Sequence, residues 1–149
     1  MRAVVQRVSS SFVKIGTEHV GEISKGLNIL LGITKEDTIQ DVKYLKNKII
    51  NLRIFEDEEG KLNRSLLDIN GELLIVSQFT LYGDCRKGRR PSYAEALSGY
   101  EAKKLYDEFI SLCKLEIKKV QTGIFGEDME VSIVNDGPVT LLLDSKKGF

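Results

Sequence analysis

The chain opens on an alternating pattern. Over residues 2–8, Ala3, Val5 and Arg7 fall on one side of an extended segment and Val4, Gln6 and Val8 on the other, the two-residue period of a strand. A second strand is expected over 11–15. The segment 18–23, after a Gly16-Thr17 turn, is placed to pair back on it as a hairpin. Gly26 leads into LNILLGI, a continuous apolar run suited to a central strand covered on both faces. The period then becomes helical. Ile39, Val42, Leu45, Ile49 and Leu52 share a face, Lys43, Lys46 and Lys48 cover the outside, and Asp37 with Gln40 has the pattern of a capping box. RIFED reads as a short strand closed by the EDEEGK turn. Residues 72–82, ELLIVSQFTLY, read as a further strand, followed by the polar loop GDCRKGRRPS. A second helix is expected from Ser98, with Glu101 completing a capping box. Ala102, Leu105, Tyr106, Phe109, Leu112 and Cys113 form its buried stripe. LEIKKV returns as a strand, and MEVSIV and VTLLLD flank Asn135-Asp136-Gly137-Pro138 as the arms of a hairpin.

Strands, a helix, strands, a helix and strands again imply one α/β domain over residues 1–149, with the helices segregated to one side of strongly twisted sheets. No sequence repeat is present, although the order hints at two similar halves. With 149 residues and 42% hydrophobic positions, the chain can bury a genuine core. Its 22 basic and 22 acidic residues cancel, which argues against a general coat for polyanions but leaves room for a local basic patch. No apolar run reaches membrane-spanning length, and the N-terminal segment does not read as a signal peptide. Cys85 and Cys113 show neither metal spacing nor a disulfide framework, so a reducing cytoplasm is the expected compartment. With one histidine, His19, two isolated cysteines and no clustered carboxylates, the sequence offers no metal-ligand set, and no cofactor is expected.

Four stretches remain as candidate chemistry. Ser77, Gln78, Phe79 and Thr80 put two hydroxyls and an amide at the end of an apolar strand, where an unpartnered polar group costs about 1–3 kcal/mol. Either backbone neighbours satisfy them or they line a pocket. A covalent nucleophile at Ser77 or Thr80 needs an activating base, and the lone histidine lies far away in sequence. Arg86, Lys87, Arg89 and Arg90 crowd four cations into five residues, either a solvated loop or a phosphate contact to which Lys146 and Lys147 add. Phe125 and Met129, near Gly123 and Gly126, are either core or a stacking pair for a nucleobase. Gly137-Pro138 is a turn by default. A cis bond there would turn its neighbouring carbonyls into a recognition device.

Taken together, these stretches resemble the D-aminoacyl-tRNA deacylase (D-Tyr-tRNA deacylase) family over essentially the whole chain. MRAVVQRV with Arg7 resembles the family's start, Ser77-Gln78-Phe79-Thr80 its Ser-Gln-x-Thr motif, and the GRRPSY loop its counterpart. Asn135-Asp136-Gly137-Pro138-Val139-Thr140 resembles the family's Gly-Pro motif. Tyr93 departs from the phenylalanine more often expected there. The resemblance implies a layered β/β/α fold with barrel-like sheets, a homodimer, and hydrolysis of the ester joining a D-amino acid to the terminal adenosine of tRNA. It implies that Gly137-Pro138 is a cis dipeptide reaching into the partner's site, with glycine on alanine tRNA as a second substrate. On that reading Ser77, Gln78, Phe79 and Thr80 are the catalytic segment, and Gly137, Pro138 and Arg7 reject L-amino acids. Phe125 and Met129 hold the adenine, and Arg86, Lys87, Arg89 and Arg90 meet RNA phosphates. Either the RNA 2′-hydroxyl or Thr80 drives the attack. A dimer that binds RNA 3′ ends without turnover is the alternative, and a purely structural dimer a third reading.

Overall fold

In the computed structural model, which describes residues 1–148, the two strands expected near the start are one strand, β1 (Arg2–Ile15). Its halves bury side chains in different places. Ala3 and Val5 join the main core under the helices, whereas Val8 and Val13 join a second cluster. β2 (Glu18–Ile23) pairs back on the far half as the expected hairpin, and β3 (Gly26–Gly32) pairs antiparallel with the near half. One long strand therefore serves two parts of a strongly curled sheet.

The chain then crosses over through helix α1 (Ile39–Asn51), passes a two-residue strand β4 (Phe55–Glu56) paired with β5 (Leu62–Arg64), and enters β6 (Glu72–Ser77) parallel to β3. A second crossover, helix α2 (Gly99–Lys114), leads to β7 (Val120–Thr122), parallel to β6. Parallel neighbours need such crossovers, and because both step the same way across β3-β6-β7 with the same hand, both helices lie over one face. β3 and β6 are covered on both sides: Leu27, Ile29, Leu31, Leu73 and Ile75 face the helix core, while Leu74 and Val76 enter the second cluster. That accounts for their unbroken apolar runs. Gly21 lets β2 approach Thr122 of β7, so the mixed sheet nearly closes into a barrel.

Several expected boundaries move. Residues 115–119 do not extend β7, and the strand expected over 72–82 stops at Ser77. The hairpin expected around Asn135-Asp136-Gly137-Pro138 does not form. Both arms belong to one strand, β8 (Glu130–Asp144), which pairs antiparallel with β1 along its length. Strand β1 is long enough to take both arms in line, so no reversal is needed. Ser98 stands at the N-terminus of α2 but its side chain makes no capping bond. Gly99 enters with φ +70°, an approach that a capping box does not have.

Asp37 does not cap α1 either. Its carboxylate accepts from the Thr34 N–H (2.9 Å) and from the Met1 ammonium, and Thr38 takes the cap in a box closed by Asp41. Asp41 also receives the Ser145 hydroxyl (2.7 Å) and the Lys146 ammonium (2.9 Å), which binds β8 to the start of α1. Burial alone would raise the Asp41 pKa, but these partners and Thr38 outweigh it and hold the carboxyl well below its ordinary value. A lowered folded-state pKa stabilises fully above the unfolded value, and that stability is lost as pH falls through it. Asp41→Asn should therefore lower stability near neutrality by about 1–3 kcal/mol. It should also flatten the loss below about pH 4, where unfolded aspartate takes up its proton. Urea midpoints measured across that range check this, and parallel pH profiles for the two proteins would contradict it.

Candidate active site

β6 delivers four buried apolar residues, Leu73 to Val76, and then the half-buried Ser77. There the chain turns out of the sheet. Gln78 adopts φ −144° and ψ 79°, gives its N–H to the Leu31 carbonyl (2.7 Å), and opens a 3-10 turn, Phe79–Tyr82. The polar groups at the strand end thus have two fates. The Gln78 backbone is satisfied by β3, and its side-chain amide donates to the Thr80 hydroxyl. Ser77, Gln78 and Phe79 line a cavity of about 410 Å³.

The cavity brings together residues from four parts of the chain. Leu31 and Ile33 come from the end of β3, Val76 to Phe79 from the end of β6, Leu97 to Gly99 and Ala102 from the entry to α2, and Phe125 to Met129 with Val131 from between β7 and β8. Phe125 packs against Tyr106 of α2 (5.5 Å between centroids), whose hydroxyl donates to the Ile75 carbonyl (2.8 Å). Met129 lies over Gly123. A Cβ at that position would collide with the Met129 sulfur, so only glycine leaves the thioether where it stands. The sequence did not point to Ser98, Gly99, Glu127 or Asp128. Gly99 with its positive φ was the one local signal available, because glycine is the residue that tolerates that conformation.

Thr80 is exposed and is absent from the cavity lining. Its hydroxyl is engaged by Gln78, and the one histidine, His19, stacks on Phe12 (4.7 Å) instead of facing the cavity. Burial pushes the Cys113 thiol up to about 12, which leaves it protonated and unreactive. Ser77 lines the cavity with Glu127 and Asp128, but no hydrogen bond joins its hydroxyl to either carboxylate, so among the described residues no nucleophile of the cavity is engaged by a base.

Gly137 and Pro138 lie elsewhere in the same chain, and the bond between them is cis. Gln6 of β1 pairs with Thr140 and Val8 pairs with Asn135, so Arg7 alone faces residues 136–139 of β8. That excess stands out from the ladder as a bulge. Arg7 is buried beneath it. Its Nε donates to the Asp136 carbonyl (3.0 Å) and lies 3.4 Å from the Asp136 carboxylate, and its Nη1 donates to the Ile54 carbonyl (2.8 Å). Gly137, at φ +125°, would place a Cβ 3.0 Å from Arg7 Nη2, so conformation and space both require glycine.

The basic loop is anchored at its base, where Asp84 and Ser92 exchange backbone hydrogen bonds (2.7 and 2.9 Å). Arg86 folds back on the Asp84 carboxylate (2.7 and 2.8 Å) and holds that carboxyl far below its usual pKa. Lys87, Arg89 and Arg90 are exposed, and no residue of the loop lines the cavity.

An apolar cavity at the end of a parallel strand pair, rimmed by a hydroxyl and an amide and lacking a base bonded to that hydroxyl, suits an ester whose attacker comes from elsewhere. Residues 4–144 match the family described as D-Tyr-tRNA(Tyr) deacylase, and the chain belongs to it. It is 66% identical to the D-aminoacyl-tRNA deacylase of Clostridium acetobutylicum and 68% identical to that of Clostridium botulinum, each over 149 residues and 100% of both chains. Its fold is similar to a solved structure titled c-Myc DNA Unwinding Element Binding Protein, with TM-score 0.92 and 41% identity over 97% of this chain and 98% of that one. The chain is thus a hydrolase acting on D-aminoacyl-tRNA, which sets aside the non-catalytic and purely structural readings.

Arg7 is the most sharply defined structural element of these motifs. Arg7→Ala leaves the Asp136 and Ile54 carbonyls without their charged donor and should lower stability by about 2–4 kcal/mol. A urea midpoint equal to that of the wild type would show that the bulge stands without it.

Proposed function

We propose that the cavity beside Ser77, Gln78 and Phe79 receives the 3′ end of a tRNA carrying a D-amino acid, and that two copies of the chain complete each other's sites. One observation carries this reading. The 77–79 segment borders the cavity, while Gly137 and Pro138 stand on a bulge that does not line it. A second copy supplies the missing wall, as a two-fold interface allows.

In this reading the terminal adenine lies against Phe125 and Met129, and the ester carbonyl sits at the end of β6. The Gln78 N–H is already committed to Leu31. The donors for the developing oxyanion are therefore the N–H groups of Phe79 and Thr80, which open the helical turn and have no acceptor one turn back. Each such donor is worth about 3–4 kcal/mol in other esterases. The attacker is a water oriented by the vicinal 2′-hydroxyl of the RNA. Water adds to the carbonyl, the tetrahedral intermediate expels the 3′ oxygen, and that oxygen takes up a proton, giving amino acid and tRNA.

A pocket that accepts every D side chain cannot grip the side chain. It must exclude the L side chain while holding the amine, which rigid backbone carbonyls at Gly137 and Pro138 do. Arg7 braces that bulge from below. Such a filter also passes glycine, so glycine wrongly loaded on alanine tRNA is a second substrate. Lys87, Arg89 and Arg90 meet the acceptor-stem phosphates, with Arg86 shared with Asp84. The substrate places the enzyme in the cytoplasm.

Incubating the protein with D-tyrosyl-tRNA and with L-tyrosyl-tRNA should release tyrosine rapidly from the first alone. Equal cleavage of both would overturn the chiral reading. Thr80→Ala should retain turnover within about tenfold, the scale of one lost hydrogen bond. Abolished turnover with unimpaired tRNA binding would instead make Thr80 the nucleophile.

A further inference from the structure

Resting on the proposed function, we infer that Tyr93 is a positioning residue that couples the cationic loop to the cavity by holding the ring of Phe79. Phe79 lines the cavity and is 55% exposed in the single chain, so within its own chain the ring has little else to fix it. Tyr93 meets it edge to face, with centroids 5.2 Å apart and planes at 71°. This is the favoured arrangement of two aromatic quadrupoles.

Tyr93, 41% exposed, is held by one further contact of its ring and by its chain on either side. Its ring lies over the backbone of Gly83, where an added Cβ would come within 3.0 Å of it. Ser92, its chain neighbour, is locked to Asp84 by the paired backbone bonds that close the loop. On its other side the chain is tied to the end of β3, where the Thr34 hydroxyl donates to the Glu95 carbonyl (2.6 Å) and the Leu97 N–H to the Ile33 carbonyl (2.9 Å). The loop that presents Lys87, Arg89 and Arg90 thus ends on the residue that supports a wall of the cavity. Phosphates gathered by those cations steady the loop base, Tyr93 and hence Phe79. A substrate that carries the acceptor stem should then react faster than its 3′-terminal fragment, beyond any gain in binding.

The test compares kcat and KM on D-tyrosyl-tRNA and on D-tyrosyl-adenosine, which lacks the stem phosphates. In the wild type kcat should favour the tRNA. Tyr93→Ala should lower kcat on the tRNA by about five- to tenfold, the upper range for one aromatic pair, and lower it less on the adenosine ester, so that the ratio between the two narrows. Tyr93→Phe, which keeps the ring edge, should restore the wild-type ratio. Tyr93→Leu keeps bulk without a ring edge and should follow Tyr93→Ala, so the comparison survives if the alanine variant folds poorly. An unchanged kcat ratio in the alanine and leucine variants, or failure of phenylalanine to restore it, would overturn the coupling. A wild type inactive on both substrates would remove the proposed reaction and this inference with it.

Discussion

The pairing of β1 with β8 contains a mismatch of one residue against four, and the placement of the Gly137-Pro138 corner depends on it. Antiparallel strands tolerate one extra residue easily. Three extra residues leave a loop whose backbone must find partners away from the ladder. Arg7 provides them. Its guanidinium lies under the loop and bonds the Asp136 carbonyl above and the Ile54 carbonyl beside it. A buried charge is costly unless its donors are used, so each feature requires the other. Without the bulge Arg7 would be an unpaired cation in a strand, and without Arg7 the bulge would have no floor.

A second constraint comes from the parallel strands. β3, β6 and β7 run the same way, and each continues into a segment that lines the cavity: Ile33 after β3, Gln78 and Phe79 after β6, and 125–129 after β7. Chain ends gathered on one side of parallel strands make a crevice, and ligands of open α/β sheets bind in such places. The two crossover helices then do more than cover the core. α2 closes one side of the crevice at Ser98, Gly99 and Ala102, and its Tyr106 fixes Phe125 by holding on to the carbonyl of Ile75. Stability and site geometry share the same contacts here, so a change that loosens the packing of α2 also moves a wall of the cavity.

Local physics made much of this legible in the sequence. The two-residue and helical periods located the first half of β1, α1 and α2, because half-buried strands and amphipathic helices carry their periods in residue type, and an unbroken apolar run located β3. The polar interruption at Ser77-Gln78-Phe79-Thr80 was legible as candidate chemistry, although the strand was expected to run through it to residue 82 and in fact stops at Ser77. What stayed hidden was tertiary. Asn135-Asp136-Gly137-Pro138 has the composition of a reversing turn, and only the length of the partner strand shows that the chain goes straight on. Asp37 has the chemistry of a helix cap, but the Met1 ammonium and the Thr34 N–H take its carboxylate, and Thr38 succeeds it. Ser98 had no signal as a site residue, and Gly99 only that of a glycine, because the cavity uses their position at the mouth of α2 more than their side chains. The grouping of Phe125 and Met129 with the 77–79 segment needed β7 to lie beside β6, which no periodicity reveals.

The open side of β8 is the remaining consequence of this plan. Among the described residues β8 pairs with β1 alone, so one edge of a strand 15 residues long is unpaired. Val134 and Leu142 on it are 54% and 59% exposed, one on each side of the bulge. Natural proteins rarely leave such an edge bare, because it templates association. The bulge breaks the edge in its middle, which disfavours indefinite strand addition while leaving apolar side chains for a single partner. A two-fold contact along this edge would bring each copy's Gly137 and Pro138 beyond its own surface. That is the placement the proposed chiral filter requires. The same mismatch that makes the corner thus limits what can pair beside it, so in the proposed function one strand pair would shape both recognition and assembly.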